Sequence, residues 1–441
     1  MDPPCSCGSW PADETAPEGM SLGGLFVVEA WMFAPRTRPG GAFPPALGAE
    51  EWAALFGPAV WRSPAHLCRL LAEQQGPAAT LRAFHAHWRQ WDPVAVLGAA
   101  KERGITRLRI PVGWPMFAPP EEMGFARLNG FVADPFSRER AAHPLCPPDD
   151  FLFPWLEQAS ALGMTVLLDL HTLPGETGAG YAFVSWAVAV AAMVPAERDR
   201  WLRAYRSVLH GFIGYVGALP AGVRAAVGGL QPSNLGLTMD AESYARPRFA
   251  GELETVLVAK KMADFALQGL HAAMGKSMPA IYLNLDNALT PREVSEYMES
   301  AAEWLEGMGL DPSEKLVQAS HFFALDWPFV FKLPTEETVY RWVLARFPAR
   351  AAQRWRTCCI EWSAAPPRSR VFLSAAQEPT DPLPAKWKEN VFRAFVRAFR
   401  DAGTENYFWT WDVPQSCAVP ARPNQERTFW SLSCALSLHG Q

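Results

Sequence analysis

Asp150–Gly175 reads DFLFPWLEQASALGMTVLLDLHTLPG. Its first half carries helical spacing up to Leu162 and stops at Gly163, a residue suited to a helix end. Its second half, Thr165–Leu170 (TVLLDL), is a short and nearly continuous apolar run. Such a run suits a strand buried on both faces, as in a parallel sheet. The strand ends in polar residues, Asp169 and His171, followed by the turn pair Pro174-Gly175. A helix feeding at once into a doubly buried strand is half of a βαβ unit.

The same unit recurs in both directions. Strand candidates are Leu25–Val28 (LFVV), Thr106–Val112, Thr165–Leu170, Val227–Gln231, Ala280–Leu285, Leu316–Phe323, Cys358–Trp362 and Asn406–Trp411. Helical patterns fill the intervals: Asp92–Arg103, with Asp92 as N-cap and Pro93 in the first turn; Asp150–Leu162; and Val188–Val216, broken near Pro195. Further along come Leu253–Met274, Thr290–Met308, which opens on the capping-box sequence Thr-Pro-Arg-Glu, Thr335–Ala351 and Pro384–Ala402. Eight strands alternating with helices predict an α/β fold, a closed (β/α)8 TIM barrel. It is a single domain over 20–441 with long loops, Gly113–Pro148 and Leu173–Val184, over the C-terminal face. The alternative is an open doubly wound sheet, which lacks its dinucleotide fingerprint here because no GxGxxG follows the first strand.

Composition agrees with a large folded domain. Of 441 residues, 49% are hydrophobic and 19% charged, which excludes global disorder. The net charge of -5 gives no electrostatic reason to expect a nucleic acid or an anionic membrane as partner. No apolar run is long enough to cross a bilayer. Residues 1–19 read as a disordered leader without the basic and apolar regions of a signal peptide, and the compartment stays unassigned. The eight cysteines show no zinc-ligand spacing. Trp is abundant at 19 residues, more of them expected in the core than against a ligand.

In a β/α barrel, chemistry gathers where the strands end. Those ends carry Glu29, Arg109, Asp169, His171, Asn234, Asp286, His321, Glu361 and Asp412. Taken singly, Arg109 and Glu361 read as a structural ion pair and His171 as a satisfied core histidine. A ring of such groups is costly to bury, so together they read as a ligand site. Glycoside hydrolysis needs two carboxylates flanking the scissile bond, one of them ionised as nucleophile in the retaining mechanism. Glu361 beside Arg109 suits that part.

Several segments resemble the exo-β-1,3-glucanases of glycoside hydrolase family 5. In order they are Met20–Met32, His87-Trp88, LRIPVGW (Leu108–Trp114), Asp150–Gly175, SHFF (Ser320–Phe323), IEWSAA (Ile360–Ala365) and FWTWD (Phe408–Asp412). The resemblance implies β-glucan or glucose oligosaccharides as ligands, with no metal or organic cofactor. It makes Glu361 the nucleophile and Arg109 its orienting partner. His171 and His321 would line the sugar pocket, Glu29 would bind outer hydroxyls, Asn234 would meet the 2-hydroxyl and Trp411 would stack on the sugar. The family's acid/base is the Glu of Asn-Glu-Pro, and here the corresponding segment is Ser233-Asn234-Leu235-Gly236. Leu235 cannot move a proton. The nearest carboxylates that could stand in are Glu176 and Asp286, both of which read more plainly as solvated loop charges. The expectation is a β-glucosidase-type hydrolase with impaired or altered turnover; the alternative is a non-catalytic glucan-binding protein on the same barrel. The departures extend to Phe323, Glu176-Thr177 and Asp412, where the family carries Tyr, Gln-Asn and usually Lys.

Overall fold

The computed structural model describes residues 16–27, 64–120, 123–137, 142–175, 186–234, 253–285, 289–322, 335–347, 354–363 and 385–409. Eight parallel strands close into a barrel. In chain order they are β1 (Gly19–Ser21), β2 (Arg107–Gly113), β6 (Thr165–Thr172), β7 (Val227–Gln231), β8 (Ala280–Leu283), β9 (Leu316–His321), β10 (Arg356–Trp362) and β11 (Glu405–Phe408). The short β3 (Arg127–Leu128), β4 (Phe131–Ala133) and β5 (Ala142–Pro144) form a separate antiparallel sheet within the long connection after β2. Closure comes from β1, which pairs with β2 through Gly19–Arg107 and with β11 through Gly19–Tyr407.

Strand alternation sorts the side chains. On β2, Leu108, Ile110 and Val112 point outward into the layer shared with the helices, and on β6 Val166, Leu168 and Leu170 do the same. Facing the axis is a second cluster of Leu167, Ala280, Tyr282, Val317, Ala319, Cys358, Ile360 and Tyr407. Gly229 makes room for it, since a Cβ there would sit 2.2 Å from Tyr282 Cε2.

The helices follow their sequence signals closely. Pro93–Glu102 is capped by Asp92, whose Oδ1 accepts from Val94 N at 2.9 Å. Leu253–Met274 keeps its expected bounds. Pro291–Gly307 carries the capping box, with Thr290 N donating to Glu293 Oε2 and Glu293 N to Thr290 Oγ1. The segment Val188–Val216 divides into Trp186–Ala191 and Pro195–Ala218, as Pro195 requires. Asp150–Leu162 is instead two helices, Pro148–Phe151 and Phe153–Ala161, because Pro154 lacks the N–H that would carry one helix through. Thr335 caps a helix that runs Glu336–Arg346, shorter than expected.

One strand lies elsewhere than its apolar run suggests. The first strand is Gly19–Ser21, and Leu25–Val27 form the turn that follows it. Leu22 N still donates to Arg109 O, so the ladder ends there. His87 then fixes the turn, its buried Nε2 donating to Gly24 O at 2.7 Å and Leu25 O at 3.0 Å. Burial drives its pKa down to about 4, which keeps the ring neutral. Barrel closure selects small residues: a Cβ on Gly19 would meet Asn406 O at 2.6 Å, and one on Gly23 would meet Trp409 Cζ2 at 2.6 Å. Gly19 is already part of β1, and the Glu18 carbonyl accepts from Thr106 N and Arg107 N.

Candidate active site

Nine described side chains meet at the C-terminal ends of seven strands. Arg109 from β2 is fully buried. Its Nη1 donates to Glu361 Oε1 at 2.7 Å, its Nη2 to Asp169 Oδ2 at 2.7 Å and its Nε to Gln231 Oε1 at 3.2 Å. His171 Nδ1 lies 2.5 Å from Asp169 Oδ2 and 3.1 Å from Asn234 Nδ2. His321 Nε2 lies 3.4 Å from Glu361 Oε2. Asn284, just past β8, places Nδ2 3.3 Å from Asn234 Oδ1 and 3.2 Å from His321 Nδ1. Trp409 forms one wall, parallel to His171 at 5.7 Å and under the Arg109 guanidinium at 5.6 Å.

Glu361 reaches this site through an irregularity in its strand. Cys358 and Ile360 face the barrel axis, so strict alternation would send Glu361 outward. The registers of β10 against both β9 and β11 shift after Cys359, pairing Glu361 with His321 and Trp362 with Phe408. Such a bulge re-aims a side chain. Trp362 is thereby turned outward, stacked on Phe395 at 5.0 Å with Nε1 donating to Asn406 Oδ1. That anchor holds the neighbouring carboxylate in place.

Burial pushes the Glu361 carboxyl up, but His321 and Arg109 outweigh it and hold the group at about 2. It is an ionised carboxylate at neutral pH. Two buried acceptors beside it, Asp169 Oδ1 and Asn284 Oδ1, have no hydrogen-bond partner among the described residues. Spare acceptors next to a cation and two imidazoles suit a neutral ligand rich in hydroxyl donors. Among the described residues no group of His, Cys, Asp and Glu is arranged to hold a metal ion, and no helix is long and apolar enough to cross a membrane.

Of the residues expected at the site, Arg109, Asp169, His171, Asn234, His321 and Glu361 are brought together. Glu29, Glu176, Leu235, Asp286, Phe323, Trp411 and Asp412 lie outside the described residues. The sequence reading missed Gln231, Asn284 and Trp409. Each shares strand parity with an expected or axis-facing residue: Gln231 with Gly229, Asn284 with Tyr282 and Trp409 with Tyr407. Extending the inward set by two positions would have found all three.

Fold and side chains together define a (β/α)8 barrel with a polar constellation at the mouth where barrel enzymes place their chemistry. The chain is similar in fold to the crystal structure of AoRut, at 14% identity over 97% of each chain with a TM-score of 0.58. It is also similar to the rutinosidase from Aspergillus niger, at 15% identity over 98% of this chain and 99% of that one, with a TM-score of 0.61. No family model and no curated protein sequence matches the chain.

Proposed function

We propose that this protein is a retaining β-glycosidase-type hydrolase acting on β-glucosides of the β-glucan class, with Glu361 as nucleophile and Leu235 at the position of the usual acid/base. The carrying observation is the ionised Glu361 held between Arg109 and His321 at the barrel mouth. In this reading Glu361 attacks the anomeric carbon, the glycosidic oxygen leaves, and a glycosyl-enzyme forms. Arg109 and His321 keep the carboxylate charged and aimed. His171 and Asn234 take sugar hydroxyls, with Glu29 and Trp411 in the outer-hydroxyl and stacking roles that the sequence resemblance gives them. The similarity in fold to a rutinosidase, itself named for acting on a glycoside, agrees with a glycoside substrate.

Leu235 removes an assistance worth typically ~10²–10⁴-fold. Substrates with poor leaving groups are therefore turned over slowly, unless Glu176 or Asp286 supplies the proton. The same leucine favours a second reading, a non-catalytic glucan-binding protein. An aryl β-glucoside with a good leaving group, assayed with and without azide, separates the two. Its aryl oxide departs unprotonated, and azide attacks the glycosyl-enzyme without a base. Turnover that azide accelerates and that Glu361→Gln abolishes is the expected result. No turnover under either condition, with saturable calorimetric binding of glucose oligomers, would establish the binding reading instead.

A further inference from the structure

We propose that a groove between the helices Pro195–Ala218 and Leu253–Met274, on the outer surface of the barrel, binds a small amphipathic anion, a carboxylate carrying an unbranched alkyl chain. The site is separate from the barrel mouth, and it does not depend on the function proposed above.

Both helices precede strands of a parallel barrel, so they run side by side in one direction. Their contacts keep step. Lys261 Nζ lies 3.7 Å from Asp199 Oδ1, and the Arg206 guanidinium lies 5.3 Å from the centre of the Phe265 ring. Further on, a Cβ at Gly269 would lie 3.2 Å from Ile213 Cδ1. Gly269 carries no side chain, and Ala272 and Ala273 follow it one turn later. Small residues on one helix thus leave a groove of about 600 Å³ between the two, with Met123 also lining it. That volume falls in the range of small-molecule sites.

The groove has a charged end and an apolar end. Arg203 and Arg206 stand at the first, one turn apart and exposed. At the second, Leu209 and Ile213 are buried, across from the alanines. From Arg206 to Ile213 the helix rises about 10 Å. No acidic residue lines the groove among the described residues. Nearby cations are paired: Arg198 with Glu254, Arg200 with Glu197 and Lys261 with Asp199. Arg203 and Arg206 face no carboxylate among the described residues. Arg206 lies over Phe265, a contact that holds the guanidinium without neutralising it.

Two open guanidiniums suit one carboxylate, which such a group receives through paired N–H donors. A chain continuing from that carboxylate along the groove buries apolar surface against Leu209 and Ile213. A cationic amphiphile is repelled at the charged end, and a short anion leaves the apolar end unfilled.

The test is calorimetric titration of the full chain with decanoate below its micellar concentration, with acetate and decyltrimethylammonium as controls. Decanoate should bind saturably at one site, and neither control should bind there. Arg203→Gln with Arg206→Gln, both at exposed positions, should weaken decanoate by about tenfold to a hundredfold. Ala273→Trp, which fills the apolar end, should abolish binding. A readout that needs no folded variant is the ¹³C-methyl signal of Met123 in the wild type, assigned by its loss in Met123→Leu, which should shift in step with the titration. No decanoate binding, equal binding of decyltrimethylammonium, or saturable binding that leaves the Met123 signal unmoved would overturn the proposal.

Discussion

Replacing Arg109 with Met should lower stability by about 3–5 kcal/mol at pH 7, the range for removing one partner of a buried ion pair. The guanidinium is fully buried and bridges two carboxylates, Glu361 and Asp169, each at 2.7 Å. Methionine matches much of its bulk but leaves both acids without their cation. The loss should depend on pH with a definite sign. In the wild type the Glu361 pKa is depressed from 4.5 to about 2. A depressed carboxylate contributes stability that is complete above its unfolded pKa and lost as pH falls through the folded one. The separation between 4.5 and about 2 converts to about 3 kcal/mol, present above pH 4.5 and lost towards pH 2. In Arg109→Met the upward push of burial is opposed mainly by His321, so Glu361 takes up its proton at higher pH and no longer needs a cation. The gap between wild type and variant should therefore narrow from pH 7 to pH 4. Urea denaturation followed by tryptophan fluorescence at the two pH values measures it. A loss under about 1 kcal/mol at pH 7, or an equal loss at both pH values, would mean that the buried pair is not what holds Glu361 ionised.

Two further changes probe the scaffold. Gly175→Ala should destabilise the protein by about 1–3 kcal/mol in thermal melts, since Gly175 has a φ of 83° and a Cβ there would lie 2.0 Å from Trp201 Cη2. Glu405→Gln should cost several kcal/mol in the same assay while leaving turnover per folded molecule unchanged, because its contacts are all at the opposite end of the barrel from Glu361; a loss of turnover without a loss of stability would contradict that assignment.

Most of the barrel was legible because buried parallel strands advertise themselves as apolar runs between capped helices. Thr290, Asp92 and Pro195 each mark a helix start that the chain uses as expected. The first strand was not legible for the same reason in reverse. Gly19–Ser21 carries little hydrophobic signal, since closure between β2 and β11 demands small residues, and the louder run Leu25–Val27 is buried in a turn instead. The small sheet after β2 left a signal that went unread: Asn129-Gly130, both in the left-handed region at φ 51° and 84°, is the two-residue turn joining β3 to β4. Site residues that carry charge were found from their types. Gln231 and Asn284 were not, because a neutral amide looks like any polar strand end until its partners are known. The bulge after Cys359 was invisible too, as nothing in CCIEW announces a change of face.

The barrel interior holds two polar layers, and they differ in how fully their buried acceptors are met. At the N-terminal end, Glu405 Oε1 accepts from Tyr282 Oη at 2.5 Å and Tyr407 Oη at 2.7 Å, while Oε2 meets Arg107 and Arg356, both at 3.2 Å. Both oxygens of that acid are satisfied from within the protein. Above it, Leu167, Val317, Ala319 and Ile360 fill the axis with apolar side chains. At the C-terminal end Asp169 is just as buried, yet its Oδ1 finds no partner among the described residues, and Asn284 Oδ1 repeats the pattern. A buried acceptor left unmet costs about 1–3 kcal/mol. The lower layer meets its acceptors and so serves stability. The upper layer keeps two open beside an ionised carboxylate, a cost that makes sense where an incoming hydroxyl-rich ligand completes the network.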